Sequence, residues 1–354
     1  MSKQPVDTQN SGAADRLREP FYKRARSRNL APLWRVLHTL VTDVPSSSCV
    51  AAYWRYSEVR SYLMEACDII STQEAERRVL VLENPGLAGQ SKITPSLFAG
   101  LQIILPGEIA PAHRHVASAF RFIIEGAGAY TAVAGEKTTM NRGDFVITPS
   151  WTWHDHGNES NEPMIWLDGL DMHIVNLFSA SFREDYPGPV HPITRPEGSA
   201  SAEGGLGLLP VDFERKSQTS PIFNYPYQFS REALDRLSRM RDPDPCHGFK
   251  MNYINPLTGN SAMPTLTSSI QLLPKGFTSE AYRSTAATVF SLVEGTASVN
   301  VGNERFDLAR RDLFVLPSWC SITLAAHSDT ILFSYSDRAA QEKLDIYREQ
   351  RGNG

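Results

Sequence analysis

Three histidines in this sequence could together hold a metal ion. His113 and His115 are one residue apart on a predicted extended segment, so their side chains point to the same face of a strand. His154 follows on a later predicted strand, after a Gly-Asp turn. Neutral imidazoles suit a divalent first-row metal, and three protein ligands leave coordination positions open for chemistry. A histidine pair on a strand is also often structural or on the surface, so the surrounding residues must decide.

Glycines and a proline surround these histidines at a recognisable spacing. The two runs consist of Gly107, His113, His115 and Gly126, and of Gly143, Pro149, His154 and Asn158. The first run resembles the first sequence motif of the cupin fold, and the second run resembles the second motif. The glutamate usual in the first motif is absent, because its position falls at Ala119 or Phe120, and the glycine usual after the proline is Trp151. The resemblance implies a three-histidine metal site without a carboxylate ligand.

The bulk properties exclude several classes of function. The 354 residues include 35 basic and 39 acidic side chains, for a net charge of −4, and no long basic run, which argues against nucleic-acid binding. No apolar run is long enough to span a membrane, and the polar N-terminus is unlike a signal peptide. The four cysteines lack metal or disulfide spacing and are expected to be reduced. We therefore expect a cytoplasmic protein.

The patterning predicts a mostly β protein with helices at its N-terminus. Short strand candidates separated by glycine turns favour an antiparallel sandwich or barrel; they cover residues 97–105, 119–125, 129–133, 144–148 and 164–168. Before them, apolar residues at helical spacing predict helices over 32–41 and 56–67, with Ser57 as the cap of the second helix.

The barrel predicted from these strands is repeated later in the chain. Residues 122–126 and 143–151 return as 290–295 and 311–319, about 168 residues further on. The residues opposite His113, His115 and His154 are Tyr282, Ser284 and Ile322. We therefore expect no metal at that place in the second barrel, and a structural role for this barrel.

Together these patterns predict a bicupin, that is, two double-stranded β-helix (jelly-roll) barrels with N-terminal helices. Six segments are expected: a disordered tail (1–13), a helical region (14–75), the first barrel with the metal site (76–185), a connector with one short helix (186–250), the second barrel without metal (251–337) and a C-terminal helix (338–354).

Arg121 is a candidate for binding a carboxylate beside the metal. It lies six residues after His115, so both face the same side of the sheet if the alternation continues. A planar guanidinium is suited to gripping a carboxylate. The competing interpretation is an arginine on the outer surface of the barrel. Three neutral histidines leave a divalent metal with its full charge, which suits an anionic chelating substrate such as an aromatic acid with a neighbouring hydroxyl.

The chain resembles the gentisate 1,2-dioxygenase family, which includes enzymes acting on salicylates and on 1-hydroxy-2-naphthoate. The similarity extends over about residues 30–340 and rests on long motifs at 32–34, 76–82, 99–108, 110–115, 148–158 and 166–171. It implies a bicupin Fe(II) enzyme of aromatic catabolism that inserts both atoms of O2. The ring would be cleaved between the carboxyl-bearing carbon and the adjacent hydroxyl-bearing carbon. It also implies a homotetramer.

The resemblance assigns roles to individual residues. His113, His115 and His154 are the implied iron ligands. The groups implied to contact the substrate's carboxylate and hydroxyl are Arg121, Arg77, Gln102 and His156. Asp168 is implied near the distal edge of the ring, where gentisate has its second hydroxyl, and a side chain at Gly100 would intrude on the pocket. His156 has an alternative role, a hydrogen bond that orients His154.

Several alternatives for substrate and reaction stay open. Phe98 stands where the family more often has a larger polar aromatic residue, which could favour a ring without the 5-hydroxyl. Gentisate is the first expectation; salicylate, a 5-substituted salicylate such as 5-nitrosalicylate, or 1-hydroxy-2-naphthoate are alternatives. A cupin decarboxylase or isomerase with Mn or Zn, or a bicupin that only stores or binds small molecules, are the competing classes.

Overall fold

The computed structural model describes residues 11–205, 208–215 and 217–352, in two compact units, Met1–Ser46 and Ser47–Gly354. In the first unit helix α1 spans Ser11–Arg26 and helix α2 spans Leu33–Leu40, which confirms the helix predicted over 32–41. Residues 1–10 of the predicted disordered tail lie outside the described residues. The boundary at residue 13 is corrected, because α1 begins at Ser11.

The second unit begins with short elements before the first barrel. Strand β1 spans Ala52–Trp54, helix α3 spans Tyr56–Ile69 and helix α4 spans Thr72–Ala75. The predicted cap at Ser57 is wrong: α3 starts one residue earlier, and the N–H of Tyr56 donates 2.9 Å to Oδ1 of Asp312 from the second barrel. A carboxylate from a distant part of the chain thus replaces the local cap.

The first barrel consists of two antiparallel sheets. Its strands are β2 (Arg78–Val81), β3 (Phe98–Ile104), β4 (Ile109–His115), β5 (Ala119–Glu125), β6 (Ala127–Val133), β7 (Glu136–Asn141), β8 (Phe145–Thr148), β9 (His154–Asn158), β10 (Met164–Leu170) and β11 (Arg183–Asp185). One sheet has the order β8-β5-β10-β3-β2 and the other β11-β4-β9-β6-β7. The five strand candidates predicted from the sequence coincide with β3, β5, β6, β8 and β10.

The predicted connector contains more structure than one helix. It carries helix α6 (Ser199–Ala202), strand β12 (Asn224–Tyr225) and helix α7 (Tyr227–Met240), after helix α5 (Met172–Leu177) at the end of the first barrel. The second barrel follows with β13 (Phe249–Asn252), β14 (Thr267–Leu273), β15 (Tyr282–Ser284), β16 (Thr288–Glu294), β17 (Ala297–Val301), β18 (Glu304–Leu308), β19 (Leu313–Leu316), β20 (Ile322–Ala326) and β21 (Thr330–Ser336).

The C-terminal segment is a short helix and a strand, not one helix. Helix α8 spans Arg338–Lys343, and strand β22 (Glu349–Arg351) pairs with β15 as β11 pairs with β4 in the first barrel. The C-terminal helix predicted over 338–354 is therefore corrected. The strand is stabilised by Glu349, whose carboxylate accepts hydrogen bonds from the hydroxyls of Tyr282 and Tyr347.

Each barrel receives an edge strand from the segment that precedes the other barrel. Strand β1 pairs with β19 of the second barrel, and β12 pairs with β8 of the first. The helices that follow these strands are anchored alike: Tyr56 donates to Glu125, and Tyr227 donates to Glu294. The repeat therefore includes the helix before each barrel. The predicted N-terminal helical region also contains a strand of the second barrel, and the predicted connector contains a strand of the first barrel.

The two barrels pack through the outer faces of β5 and β21 and their neighbours. Phe122 and Phe333 stack with ring centroids 3.9 Å apart, and Phe120 lies against Tyr335. Since side chains alternate along a strand, the residues between these aromatics face the interiors of the barrels. Burial of each such ring stabilises the fold by about 1.5–3 kcal/mol.

In the described part of the chain, no helix combines the length and the apolar character that crossing a membrane requires. All four cysteines carry free thiols, as the sequence predicts.

Candidate metal centre and active site

The three predicted metal ligands converge inside the first barrel. Antiparallel pairing of β4 with β9 places His113 opposite His154, and His115 lies one alternation further along β4. One ring nitrogen of each histidine lies within 4.8 Å of those of the other two. The alternation that predicted a shared face for His113 and His115 therefore holds in the structure.

Backbone carbonyls orient two of the three rings. Nδ1 of His115 lies 2.7 Å from the carbonyl oxygen of Ala117, and Nδ1 of His154 lies 2.9 Å from that of Thr152. A carbonyl oxygen only accepts hydrogen bonds, so each Nδ1 carries the proton and each Nε2 keeps its lone pair. Second hydrogen bonds of this kind are usual for metal-binding histidines.

The surroundings keep all three imidazoles neutral. Burial lowers the pKa of His115 to about 4, and burial together with the charge of Arg77 lowers the pKa of His113 to about 2. Burial also holds the pKa of His154 well below its usual range. Nδ1 of His113 is buried without a hydrogen-bond partner among the described residues. Neutral imidazoles with free lone pairs fit a divalent first-row metal.

His156 does not orient His154. Its Nδ1 lies 2.8 Å from Oγ1 of Thr131, while Nδ1 of His154 is already bonded to Thr152. The ring of His156 is fully buried 5.7 Å from that of His154, and its Nε2 has no partner among the described residues. The supporting role left open by the sequence is therefore wrong, and a polar atom remains free beside the metal cluster.

Arg121 lies inside the barrel, which excludes the surface interpretation. It is 3% exposed, and its Nη1 donates 2.8 Å to Oγ1 of Thr148. Its Nε is buried without a hydrogen-bond partner and lies 3.8 Å from Oδ1 of Asp168. Burial lowers the pKa of Arg121 to about 10, so the guanidinium stays charged at neutral pH. The side chain can therefore donate to an anion in the pocket.

Asp168 and Gly100 form one row with Arg121 across three strands. Asp168 on β10 pairs with Arg121 on β5 and with Gly100 on β3. Oδ1 of Asp168 accepts a hydrogen bond of 3.0 Å from Nε1 of Trp166. Burial raises the pKa of this carboxyl to about 6, against the opposing charge of Arg121. The structure thus places a carboxylate beside the arginine.

Arg77 and Gln102 complete the polar groups near the cluster. Nη2 of Arg77 donates 2.8 Å to the carbonyl oxygen of Pro111, and burial lowers the pKa of Arg77 to about 10. Its charge also lowers the pKa values of His113, His115 and His156. Gln102 is buried on β3 in the row next to Gly100, opposite Trp166. Both residues that were predicted to contact the substrate therefore lie on the side of the first barrel that holds the histidine cluster.

Phe98 and Gly100 form the wall at the start of β3. The ring of Phe98 lies 6.3 Å from that of His173, and its carbonyl oxygen accepts a hydrogen bond from Tyr335. A Cβ added at Gly100 would lie 2.5 Å from Cγ1 of Val79 and 3.1 Å from Cε1 of Phe98. A side chain at Gly100 would first displace these two neighbours.

Sequence reasoning missed the residues that support the site. Thr131 contacts His156, Thr148 contacts Arg121, Trp166 contacts Asp168 and Tyr335 contacts Phe98. The two threonines are polar positions on otherwise apolar, inward-facing strands, and that interruption is a signal that could have been used. Tyr335 belongs to the second barrel, so nothing local points to it.

The corner before β9 has an unusual backbone. Trp151 adopts φ of 56°, a left-handed conformation that favours glycine. This explains why a glycine is usual at this corner of the cupin motif. The equivalent Trp319 in the second barrel has φ of 60°, so the conformation belongs to the fold and not to the metal site.

Comparisons with known proteins agree with this geometry. A cupin domain model matches residues 100–170. A gentisate 1,2-dioxygenase of Aquipseudomonas alcaligenes is 55% identical over 96% of this chain and 98% of its own length. A 5-aminosalicylate 1,2-dioxygenase of a Comamonas species is 35% identical over 91% of this chain and 87% of its own.

A solved structure extends the likeness to the whole fold. The crystal structure of salicylate 1,2-dioxygenase from Pseudoaminobacter salicylatoxidans, with gentisate, superposes with a TM-score of 0.90. The two chains are 32% identical, and the match covers 100% of this chain and 97% of the other. The chain therefore belongs to the gentisate 1,2-dioxygenase family and is a ring-cleaving dioxygenase with a bicupin fold.

Proposed function

We propose that this protein uses Fe(II) and O2 to cleave gentisate between its carboxyl-bearing carbon and the adjacent hydroxyl-bearing carbon. The observation that carries the proposal is the largely buried cluster of His113, His115 and His154 beside Arg121, whose Nε has no hydrogen-bond partner among the described residues. Imidazole ligands accept several first-row metals, and iron is the one that matches dioxygenase chemistry. An iron ion held by these histidines would supply the activation of O2.

The arginines position the substrate. Nε of Arg121 is a free donor in a buried site, and a planar guanidinium binds a carboxylate with two parallel hydrogen bonds. Arg77 adds a second positive charge close to His113. Since three neutral histidines contribute no negative charge, an anionic substrate balances the positive charge of the site. Fixing the carboxylate in this way holds the ring in one orientation beside the metal ligands.

His156 interacts with the substrate's 2-hydroxyl in this proposal. Oγ1 of Thr131 donates to Sδ of Met140 at 3.3 Å, which leaves it free to accept the proton on Nδ1 of His156. In that tautomer Nε2 carries the lone pair and accepts a hydrogen bond from the hydroxyl. Burial holds the pKa of His156 well below its usual range, so the ring stays neutral and keeps this acceptor.

Gentisate is favoured over the other hydroxybenzoates by Asp168 and by the relative with the highest identity described above. A second hydroxyl on the ring can donate to the carboxylate of Asp168, whose Oδ1 already accepts from Trp166. The 55% identical relative is a gentisate 1,2-dioxygenase. Salicylate and 5-substituted salicylates are the second candidates, because Phe98 gives the wall an apolar face and a relative acts on 5-aminosalicylate. 1-Hydroxy-2-naphthoate is the third candidate.

An oxygen-electrode assay tests the reaction. Fe(II)-loaded protein is given gentisate, salicylate, 5-nitrosalicylate and 1-hydroxy-2-naphthoate, and the ring-opened product is identified by mass spectrometry with 18O2. We expect gentisate to give the highest kcat/KM and both labelled atoms to enter the product. Chelation of the metal and the His113→Ala variant should each abolish uptake with every substrate.

Anaerobic turnover separates the competing classes. A decarboxylase or isomerase with Mn or Zn would consume substrate without O2, and a storage or binding protein would consume none under either condition. Either result would refute the proposal. Full activity of protein shown to contain no metal would refute it too. The expected homotetramer is tested by light scattering, and like the cytoplasmic location it stays a prediction.

A further inference from the structure

The interior of the second barrel contains a polar cavity of about 220 Å³. Polar side chains of β13, β14 and β21 line part of this cavity, whereas the opposite end of the barrel is filled by an apolar cluster that includes Leu292 and Leu332. The polar residues on these three strands include Lys250, Thr267, Ser269, Gln271, Ser334 and Ser336. A barrel that served only as a scaffold would not need a polar cavity, since apolar side chains in its place would stabilise the core.

The cavity occupies the place that corresponds to the metal cluster of the first barrel. Tyr282 pairs with Ile322 as His113 pairs with His154. The N–H of Trp319 donates to the carbonyl oxygen of Ser284 at 2.6 Å, as that of Trp151 donates to the carbonyl oxygen of His115 at 2.8 Å. Among the described residues the second barrel has no cluster of metal-binding side chains. The second barrel therefore has a cavity at the position of the metal cluster but lacks the metal-binding side chains.

Lys250 supplies a positive charge to this cavity. It is half-buried on the edge strand β13 and borders the cavity. Among the described residues, no hydrogen bond or ion pair involves its Nζ. The nearby carboxylates of Asp244 and Glu349 are bonded to Arg351 and to tyrosine hydroxyls. Burial lowers the pKa of Lys250 to about 8, so most of it is protonated at neutral pH. A desolvated cation without a partner favours the binding of an anion.

The mouth of the cavity is also positive. A larger cleft of about 510 Å³ shares Asn252, Thr267 and Arg338 with the cavity, and it also contains Arg215 and Lys343. Glu342, the one carboxylate that the described residues give to this cleft, already pairs with Arg338. His247 lines the inner cavity, and burial lowers its pKa to about 3, so it adds no charge there. Such a mouth attracts small anions from solution.

We propose that the cavity of the second barrel binds a small carboxylate, with Nζ of Lys250 holding the carboxylate and the amide of Gln271 and the hydroxyl of Ser334 close to it. A cavity of about 150 Å³ is enough for a benzene ring, so 220 Å³ accommodates a single-ring acid. This site is independent of the metal centre and goes beyond the proposed ring cleavage. It gives the second barrel a ligand in place of the purely structural role expected from the sequence.

Fluorine NMR of the full-length protein with 4-fluorobenzoate tests the proposal. We expect two bound resonances: Arg121→Gln removes the one from the first barrel, and Lys250→Met removes the other. The uncharged 4-fluorobenzamide should bind to the second site at least tenfold more weakly than the acid. A Lys250→Met protein that keeps both resonances with unchanged affinity would overturn the proposal, as would equal binding of the amide. If the unmodified protein shows the Lys250-dependent resonance but none that depends on Arg121, the proposed function is contradicted instead.

A second variant keeps the proposal testable if the Lys250→Met protein does not fold. Ser334→Val fills the cavity without changing Lys250, and we expect it to weaken 4-fluorobenzoate binding at the second site at least tenfold. Thermal melting and O2 uptake should stay close to those of the unmodified protein in both variants, because the side chains of Lys250 and Ser334 border the cavity of the second barrel and not the first barrel. Unchanged binding in a folded Ser334→Val protein would place the ligand elsewhere and end the proposal.

Discussion

Arg121 and Asp168 face each other across paired strands inside the first barrel, with 3.8 Å between Nε and Oδ1. Both side chains are buried, yet this separation is too long for a hydrogen bond. Nε of Arg121 has no other partner in the described part of the chain. The pair therefore holds opposite charges close together and leaves the guanidinium able to donate to a third group. In the proposed reaction that group is the carboxylate of the substrate.

Replacing Arg121 by glutamine should lower kcat/KM for gentisate by two orders of magnitude or more. Two charge-assisted hydrogen bonds are lost, each of about 1.5–3 kcal/mol. The main effect is expected in KM, while iron content measured by mass spectrometry stays unchanged, because the histidines are not altered. Arg305→Gln, at an exposed position of the second barrel, is the control. Intact affinity in the Arg121 variant would show that another group binds the carboxylate.

The preference for gentisate over salicylate should depend on pH through Asp168. Burial raises the pKa of this carboxyl to about 6, so it is ionised at pH 7.5 and mostly protonated at pH 5. A hydrogen bond to the charged form is about 1 kcal/mol stronger than one to the neutral form. We therefore expect the ratio of kcat/KM for gentisate to that for salicylate to fall about fivefold from pH 7.5 to pH 5.

The ratio of the two substrates removes effects that both share, such as protonation of the metal ligands. In Asp168→Asn the ratio should stay close to the value that the unmodified protein has at pH 5 and no longer change between pH 5 and 7.5. A pH-dependent ratio that persists in this variant would assign the effect to another residue.

Thr131→Val should separate substrate contact from metal binding. The change removes the hydrogen bond of 2.8 Å that fixes Nδ1 of His156 while keeping the shape of the side chain. A lost hydrogen bond of about 1 kcal/mol corresponds to a roughly fivefold lower kcat/KM. Metal content should not change, in contrast to His154→Ala, which should lose the metal. Thr131→Ser should restore activity, and failure of this rescue would argue that the methyl group of Thr131 is what matters.

The metal cluster was predictable because its pattern is local. His113 and His115 share a face through the two-residue period of a strand, and Arg121 keeps that parity six residues later. The bounds of β5 agree with the prediction to the residue. Burial of Arg121 and the partner of His156 were not predictable, because both depend on how other strands fold over them.

The exchanged strands and the C-terminus were missed for a physical reason. Strand β1 has three residues and β12 has two, too few for an alternation to be visible. Their partners, β19 and β8, lie in the other barrel, far away in sequence. Strand β22 likewise forms because it pairs with β15, which is far away in sequence. Tertiary pairing of this kind leaves no local pattern. The C-terminal helix predicted over 338–354 therefore extends past the end of α8 at Lys343.

The second barrel contacts the wall of the active site through Tyr335. Its hydroxyl donates 2.7 Å to the carbonyl oxygen of Phe98, and its ring lies 4.7 Å from that of Phe120. Tyr335→Phe removes this hydrogen bond and leaves the carbonyl of Phe98 with one partner fewer. We expect the free energy of unfolding to fall by about 1 kcal/mol, measured by urea denaturation, and KM for gentisate to rise because the start of β3 is less firmly held.

The control for this variant is Tyr62→Phe, an exposed tyrosine on α3, which should change neither quantity. Since kcat depends on groups near the metal, we expect it to change less than KM in Tyr335→Phe. If stability falls and KM stays the same, the hydrogen bond supports the fold only, and the position of Phe98 is set within the first barrel. If KM rises as expected, a residue of the second barrel contributes to substrate binding across the interface between the barrels.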